Sequence, residues 1–95
     1  MHNDKFAWDE EKYELNLKKH GISFEEASTV FDDDHALYSE DIAHSQNEDR
    51  FIVIGMSEQF KMLMVCHCYR NGDSVIRIIS ARKATKSESN LYGGA

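Results

Sequence analysis

Apolar residues fall along this chain in two rhythms. Early on they lie three and four apart, and Phe24, Ala27, Val30 and Phe31 share one face of a helical projection. Later they come as alternating or short apolar runs between turn signals, the pattern of strands. The polar punctuation agrees with both. Phe6-Ala7-Trp8 predicts a short opening strand. Asp9 follows as an N-cap, with Glu10 and Glu11 in the first turn of a helix and Lys18, Lys19 and His20 in the last, an order that complements the helix dipole. Gly21 is placed to end that helix as its C′ residue. Ser23 and Glu26 have the spacing of a capping box for a second helix, which Asp32-Asp33-Asp34 ends.

Residues 35–39 predict a strand, and 40–49 a polar loop long enough to carry function. Strands are expected over 50–56, 61–70 and 73–82, the last two joined by Asn71-Gly72, the signature of a type I′ hairpin turn. A short helix closes the chain over 84–92. The order β-α-α-β-β-β-β-α describes an α+β fold, an antiparallel sheet with two N-terminal helices packed on it and a short C-terminal helix. Ninety-five residues suit a single domain spanning 1–95.

One stretch sits uneasily in this scheme. SVIRIISARKAT, residues 74–85, has the composition of a buried strand yet carries Arg77 and Arg82. Arginine is almost never fully buried without a partner. A two-residue turn would pair Arg70 with Asp73, setting Cys66 opposite Arg77 and Lys61 opposite Arg82. Alternation then places Arg77 on the face of Cys66 and Arg82 on the face of His67. The two can share a phosphate only if a bulge or the strand end turns one of them. If Met56 pairs with Lys61 across the loop of residues 57–60, Arg50 falls on the His67 face, and a slip of one residue there moves it to the face of Arg77. A single arginine in such a place pairs with a carboxylate. Four basic groups on three adjacent strands are read either as separate ion pairs with carboxylates or as an anion-binding patch, whose guanidinium forks match phosphate oxygens.

The net charge of −6 opposes a polyanionic partner until its distribution is considered. Up to Asp49 there are 4 Lys and Arg against 14 Asp and Glu; from Arg50 onward there are 7 against 3. An acidic half joined to a basic half can still present a basic surface. No apolar run is long enough to cross a membrane, and the polar start has no signal-peptide character. Cys66 and Cys68, two apart on one strand, point the same way and are poorly placed for a disulfide. A reducing cytoplasm is the expected location.

Lys12, Asn16 and His20 form one polar stripe on the first helix, and His20 is a candidate for proton transfer. Cys66-His67-Cys68 has the residue types of a metal site, but alternation turns the imidazole away from both sulfurs. His2, His35 and His44 show no ligand spacing. Neither a metal nor another cofactor is expected.

Three segments carry a family resemblance: FAWDEEKYELNLKKHGISFEEASTVF, HSQNEDRFIVIG and YRNGDSVIRIISARKATKSESNLY. In that order they resemble the BrnT family of bacterial type II toxins, over residues 6–92. The matched positions are Trp8, Asp9, Lys12, Asn16, His20, Gly21 and Phe24, then Arg50 and Gly55, then Arg70, Arg77, Ser80, Arg82, Ala84, Glu88 and Tyr92. The resemblance implies a RelE/ParE-like fold and a ribonuclease that stops translation. It also implies a BrnA-like ribbon-helix-helix antitoxin, which alone contacts operator DNA.

Cleavage of RNA without a metal requires a proton to leave the ribose 2′-hydroxyl, a proton to reach the departing 5′-oxygen, and fixed cations on the phosphoryl oxygens. Arg50, Arg77 and Arg82 are assigned the cationic role and His20 or His67 the proton transfer. Lys12, Arg70, Lys83 and Lys86 are assigned to flanking phosphates, and Tyr92 to base contact. The competing reading, favoured by the acidic surplus, is an inactive module that binds the antitoxin and modulates repression of the operon.

Overall fold

The computed structural model describes residues 5–45 and 48–93. In chain order the elements are β1 (Phe6–Ala7), α1 (Glu10–His20), α2 (Phe24–Thr29), β2 (Leu37–Glu40), β3 (Phe51–Met56), β4 (Met62–Arg70), β5 (Val75–Lys83) and α3 (Lys86–Gly93). Short 3-10 turns at Val30–Asp32 and Ile42–His44 flank β2. The strands form one sheet in the order β1-β5-β4-β3-β2. The α+β class is as expected, but the sheet is mixed: β1 runs parallel to β5, pairing Phe6 with Ile76 and Ala7 with Arg77. No hairpin fixes the direction of β1, which meets β5 only after two helices and three strands have intervened.

Local signals account for the two N-terminal helices. Gly21 adopts φ +71°, and its N–H donates to the Leu17 carbonyl at 2.9 Å. That left-handed geometry costs glycine little. Ser23 Oγ accepts the Glu26 N–H at 3.0 Å. The reciprocal half of the expected capping box is absent, because the Glu26 carboxylate turns inward to accept from Ser57 Oγ at 2.7 Å and to lie 3.7 Å from Lys61 Nζ.

Both helices cover one face of the sheet. Ile22, Phe24, Ala27 and Val30 pack there against Val53, Leu63, Val65, Ile78 and Ala81. Phe24 meets Trp8 edge-on at 5.8 Å and Tyr13 at 5.2 Å between ring centroids. Burying each large side chain of this kind stabilises the fold by about 1.5–3 kcal/mol. Gly55 lets the Val30 turn approach β3, since a Cβ there would lie 2.8 Å from Val30 Cγ1.

Asn16 has a separate task. Beyond the two residues of β1, the backbone edge of β5 lacks a partner strand, and Asn16 of α1 supplies one. Its Nδ2 donates to the Ala81 carbonyl at 2.9 Å and its Oδ1 accepts the Ala81 N–H at 3.0 Å. The buried amide side chain thus stands in for a neighbouring peptide.

The β4–β5 hairpin departs from the expected register twice. Arg70 pairs with Val75, leaving a four-residue loop in which Asn71, Gly72 and Asp73 all have positive φ. Further along, Cys66 pairs with Ser80 and His67 with Ile78, so Ile79 is the extra residue of a β-bulge.

Candidate functional site

The bulge decides where the arginines point. Cys68 pairs with Arg77 and Met64 with Arg82, and residues 64, 66 and 68 of β4 share one face. Arg77, Ser80 and Arg82 therefore all stand on the face opposite α1 and α2. This corrects the expected separation of Arg77 from Arg82: the inserted Ile79 restores the parity that an odd spacing would have broken. Arg50 joins them. Met56 pairs with Met62 and not with Lys61, the one-residue slip that moves Arg50 to the face of Ile52 and Cys66. The sheet thus has an apolar face under the helices and an arginine face.

Along β4, Arg77 and Arg82 lie four residues apart, roughly 13 Å at about 3.3 Å per residue. That spacing suits neighbouring phosphates along a strand better than a single one. Their states differ. The Arg77 side chain makes no ion pair or hydrogen bond among the described residues. Arg50 Nε is buried without a hydrogen-bond partner. Arg82 is held by both carboxylate oxygens of Glu88, at 2.9 Å each. That pair keeps the Glu88 carboxyl down to about 2. Arg70 is paired with Glu48 at 2.9 Å, and the same hydrogen bond holds Glu48 below the usual carboxylate range.

At the open edge of β5 lies a shallow depression of about 300 Å³, lined by Lys12, Asn16, Lys19, His20, Ile79 and Ser80. Here α1 brings its polar stripe to the bulge, placing His20 and Lys12 beside Ser80 and hence at the rim of the arginine face. From the opposite side comes a pair that alternation and spacing did not reveal. His44 Nδ1 lies 3.0 Å from Asp41 Oδ2, which in turn is 3.8 Å from Cys66 Sγ on the arginine face. The polar loop gave no sign of it, because Asp41 meets Cys66 only through the fold. Burial and the Asp41 charge push the Cys66 thiol up to about 11, so neither a thiolate nor a metal-binding sulfur is favoured there. Among the described residues no cluster has the composition of a metal site; His2 lies outside them.

Two expected residues are placed elsewhere. His67 is fully buried on the helix side, edge-on to Phe31 at 4.8 Å and ringed by Tyr38, Phe51 and Tyr69. Burial lowers its pKa, and no substrate can reach it. Tyr92 donates its hydroxyl to Asp33 Oδ2 at 2.7 Å and ties the end of α3 to the turn before β2. Asp33 also accepts the N–H groups of Met56 and His35. Burial alone would raise the Asp33 carboxyl; these three donors outweigh it and hold it below the ordinary range. Both residues serve the fold. Lys83 and Lys86 are exposed where β5 leads into α3.

The comparisons with known proteins converge. No curated protein matches the chain by sequence. Among solved structures, the 1.1 Å crystal structure of the Brucella abortus ribonuclease toxin BrnT superposes with a TM-score of 0.65 at 24% identity, covering 88% of this chain and 100% of that one. The family model for "Ribonuclease toxin, BrnT, of type II toxin-antitoxin system" matches residues 8–88. The chain belongs to the BrnT family of ribonuclease toxins of type II toxin–antitoxin systems.

Proposed function

We propose that the arginine face is where this toxin holds and cuts RNA. The observation that carries the proposal is the bulge at Ile79, which gathers Arg77 and Arg82 on one face. Arg77, unpaired, takes the phosphoryl oxygens of the scissile group. Arg50 adds charge from β3. Arg82, once its fork leaves Glu88, takes the next phosphate, and Arg70, Lys12, Lys83 and Lys86 steer the flanking backbone.

Proton transfer falls to the two imidazoles that approach the face from opposite sides. One of His20 and His44 accepts the proton of the ribose 2′-hydroxyl as its oxygen attacks the adjacent phosphorus. The other gives a proton to the 5′-oxygen as the P–O5′ bond breaks, leaving a 2′,3′-cyclic phosphate and a free 5′-hydroxyl. Asp41 orients His44 through Nδ1 and leaves Nε2 to face the substrate. In this reading the substrate is cellular RNA in the cytoplasm. The antitoxin partner is a BrnA-like ribbon-helix-helix protein through which the pair reaches operator DNA.

The test is cleavage of a defined oligoribonucleotide by purified variants whose folding is verified by circular dichroism. Arg77→Ala should lower kcat by about 10²–10³-fold, the scale for loss of one preorganised charge-stabilising donor. His20→Gln and His44→Gln should each lower kcat by about 10²-fold or more, the scale for loss of one general acid or base. Undiminished cleavage by folded Arg77→Ala would refute the assignment.

A further inference from the structure

The β3–β4 turn holds a residue that the fold itself does not require. The turn is tightly braced. The Ser57 N–H donates to the Lys61 carbonyl and the Phe60 N–H to the Ser57 carbonyl, both at 2.9 Å. Ser57 Oγ accepts the N–H groups of Gln59 and Lys61 at 3.3 and 3.2 Å while donating to Glu26. The Glu58 N–H is fixed to Thr29 Oγ1 at 3.0 Å. At the last position of this turn Phe60 adopts φ +63°. Hairpins with a left-handed residue there ordinarily carry glycine, and a bulky side chain strains the backbone. Packing does not offset that strain, because Phe60 is 85% exposed. Its neighbours along the turn are polar: Glu58, Gln59 and Lys61.

An exposed ring at the tip of a turn, flanked by charged and amide residues, offers less to a protein partner, whose contact centres are contiguous and apolar. It is well suited to stack on a flat, polar-edged group. The surroundings indicate which. The Ala84 N–H donates to the Met62 carbonyl at 2.9 Å, so the exit of β5, with the exposed Lys83 and Lys86, runs beside this turn. The cations of the arginine face continue in this direction from Arg77 through Arg82. Cations tracking a backbone toward an exposed ring are the composition of a single-strand binding path.

We propose that Phe60 is a stacking platform for an unpaired nucleobase of the RNA, beyond the scissile position at the α3 end of the arginine face. The proposal rests on the reading of that face as the RNA site and adds the group that receives the strand as it leaves.

The experiment measures binding of a single-stranded, fully 2′-O-methylated oligonucleotide at fixed salt, together with thermal melting. The proteins are wild type, Phe60→Gly, Phe60→Trp and Arg77→Ala. Phe60→Gly should melt higher, because glycine relieves the left-handed strain, yet bind about tenfold more weakly through loss of one stacked base. Phe60→Trp should keep the affinity, and its added indole should be quenched on binding. Wild-type affinity in Phe60→Gly with weakened Arg77→Ala overturns the stacking proposal and leaves the arginine reading in place. The reverse pattern supports stacking and removes the arginines. Loss of antitoxin affinity in Phe60→Gly with RNA binding unchanged identifies a protein anchor and also overturns the proposal.

Discussion

His67 lies in the core with Nδ1 3.2 Å from the Val65 carbonyl and Nε2 3.4 Å from the Tyr69 hydroxyl. Its ordinary pKa is 6.5; in the fold burial lowers it, opposed by the hydrogen bond to the Val65 carbonyl. Below 6.5 the unfolded chain therefore binds more protons than the folded one. The contribution is complete above that pH and declines as the pH falls through the lower folded value. The melting temperature should drop between pH 7 and pH 5, and His67→Leu should flatten that dependence; an unchanged slope in the variant would assign the effect elsewhere. The sequence placed His67 on a face of its strand without saying which face the helices cover, and so an interior imidazole looked like a catalytic one. His44 was obscured for the opposite reason: its orientation depends on Asp41, and Asp41 reaches the arginine face only after β2, β3 and β4 have paired.

Among the elements, those with local causes were the legible ones. Gly21, the Ser23 cap and charge order defined α1 and α2, although Asp9 makes no side-chain cap hydrogen bond, and turn signals bounded β3, β4 and β5 to within about two residues. Register was not legible. Asn71-Gly72 fits a two-residue turn, yet the loop takes four, and one extra residue at Ile79 leaves no mark in an apolar strand. Since side-chain direction has period two, that one residue decided the composition of the candidate site. Asn16 was visible as part of a polar stripe, but its partner, the Ala81 peptide, lies 65 residues away. Asn16→Ala would leave the Ala81 N–H and carbonyl unpaired in a buried setting, a cost of about 1–3 kcal/mol for each group denied a partner. Chemical denaturation should show a clear loss of stability. If Asn16→Ala is as stable as wild type, water or a shifted α1 has replaced the amide.

At the scale of the whole molecule the acidic half is not held apart from the basic half. Glu48 of the acidic half pairs with Arg70 on the arginine face, and Glu88, one of the few acids of the basic half, pairs with Arg82 there. The surplus of carboxylates therefore sets how much of the basic surface is open to RNA. Glu88→Gln should release Arg82 while keeping an oxygen for the Thr85 N–H, which Glu88 accepts at 2.8 Å. RNA affinity at low salt should rise, and the slope of log K against log salt should steepen by about 0.7, one further phosphate on a single strand. An unaltered slope would mean that Arg82 makes no phosphate contact.

The amide of Asn16 has a further consequence for association. It fills one margin of the sheet at Ala81, beyond the two residues of β1, while on the far margin β2 is the edge strand. Lateral recruitment of a foreign strand finds its longer edge along β2. Two copies meeting along β2 would each cover the other's edge, a closed two-fold arrangement.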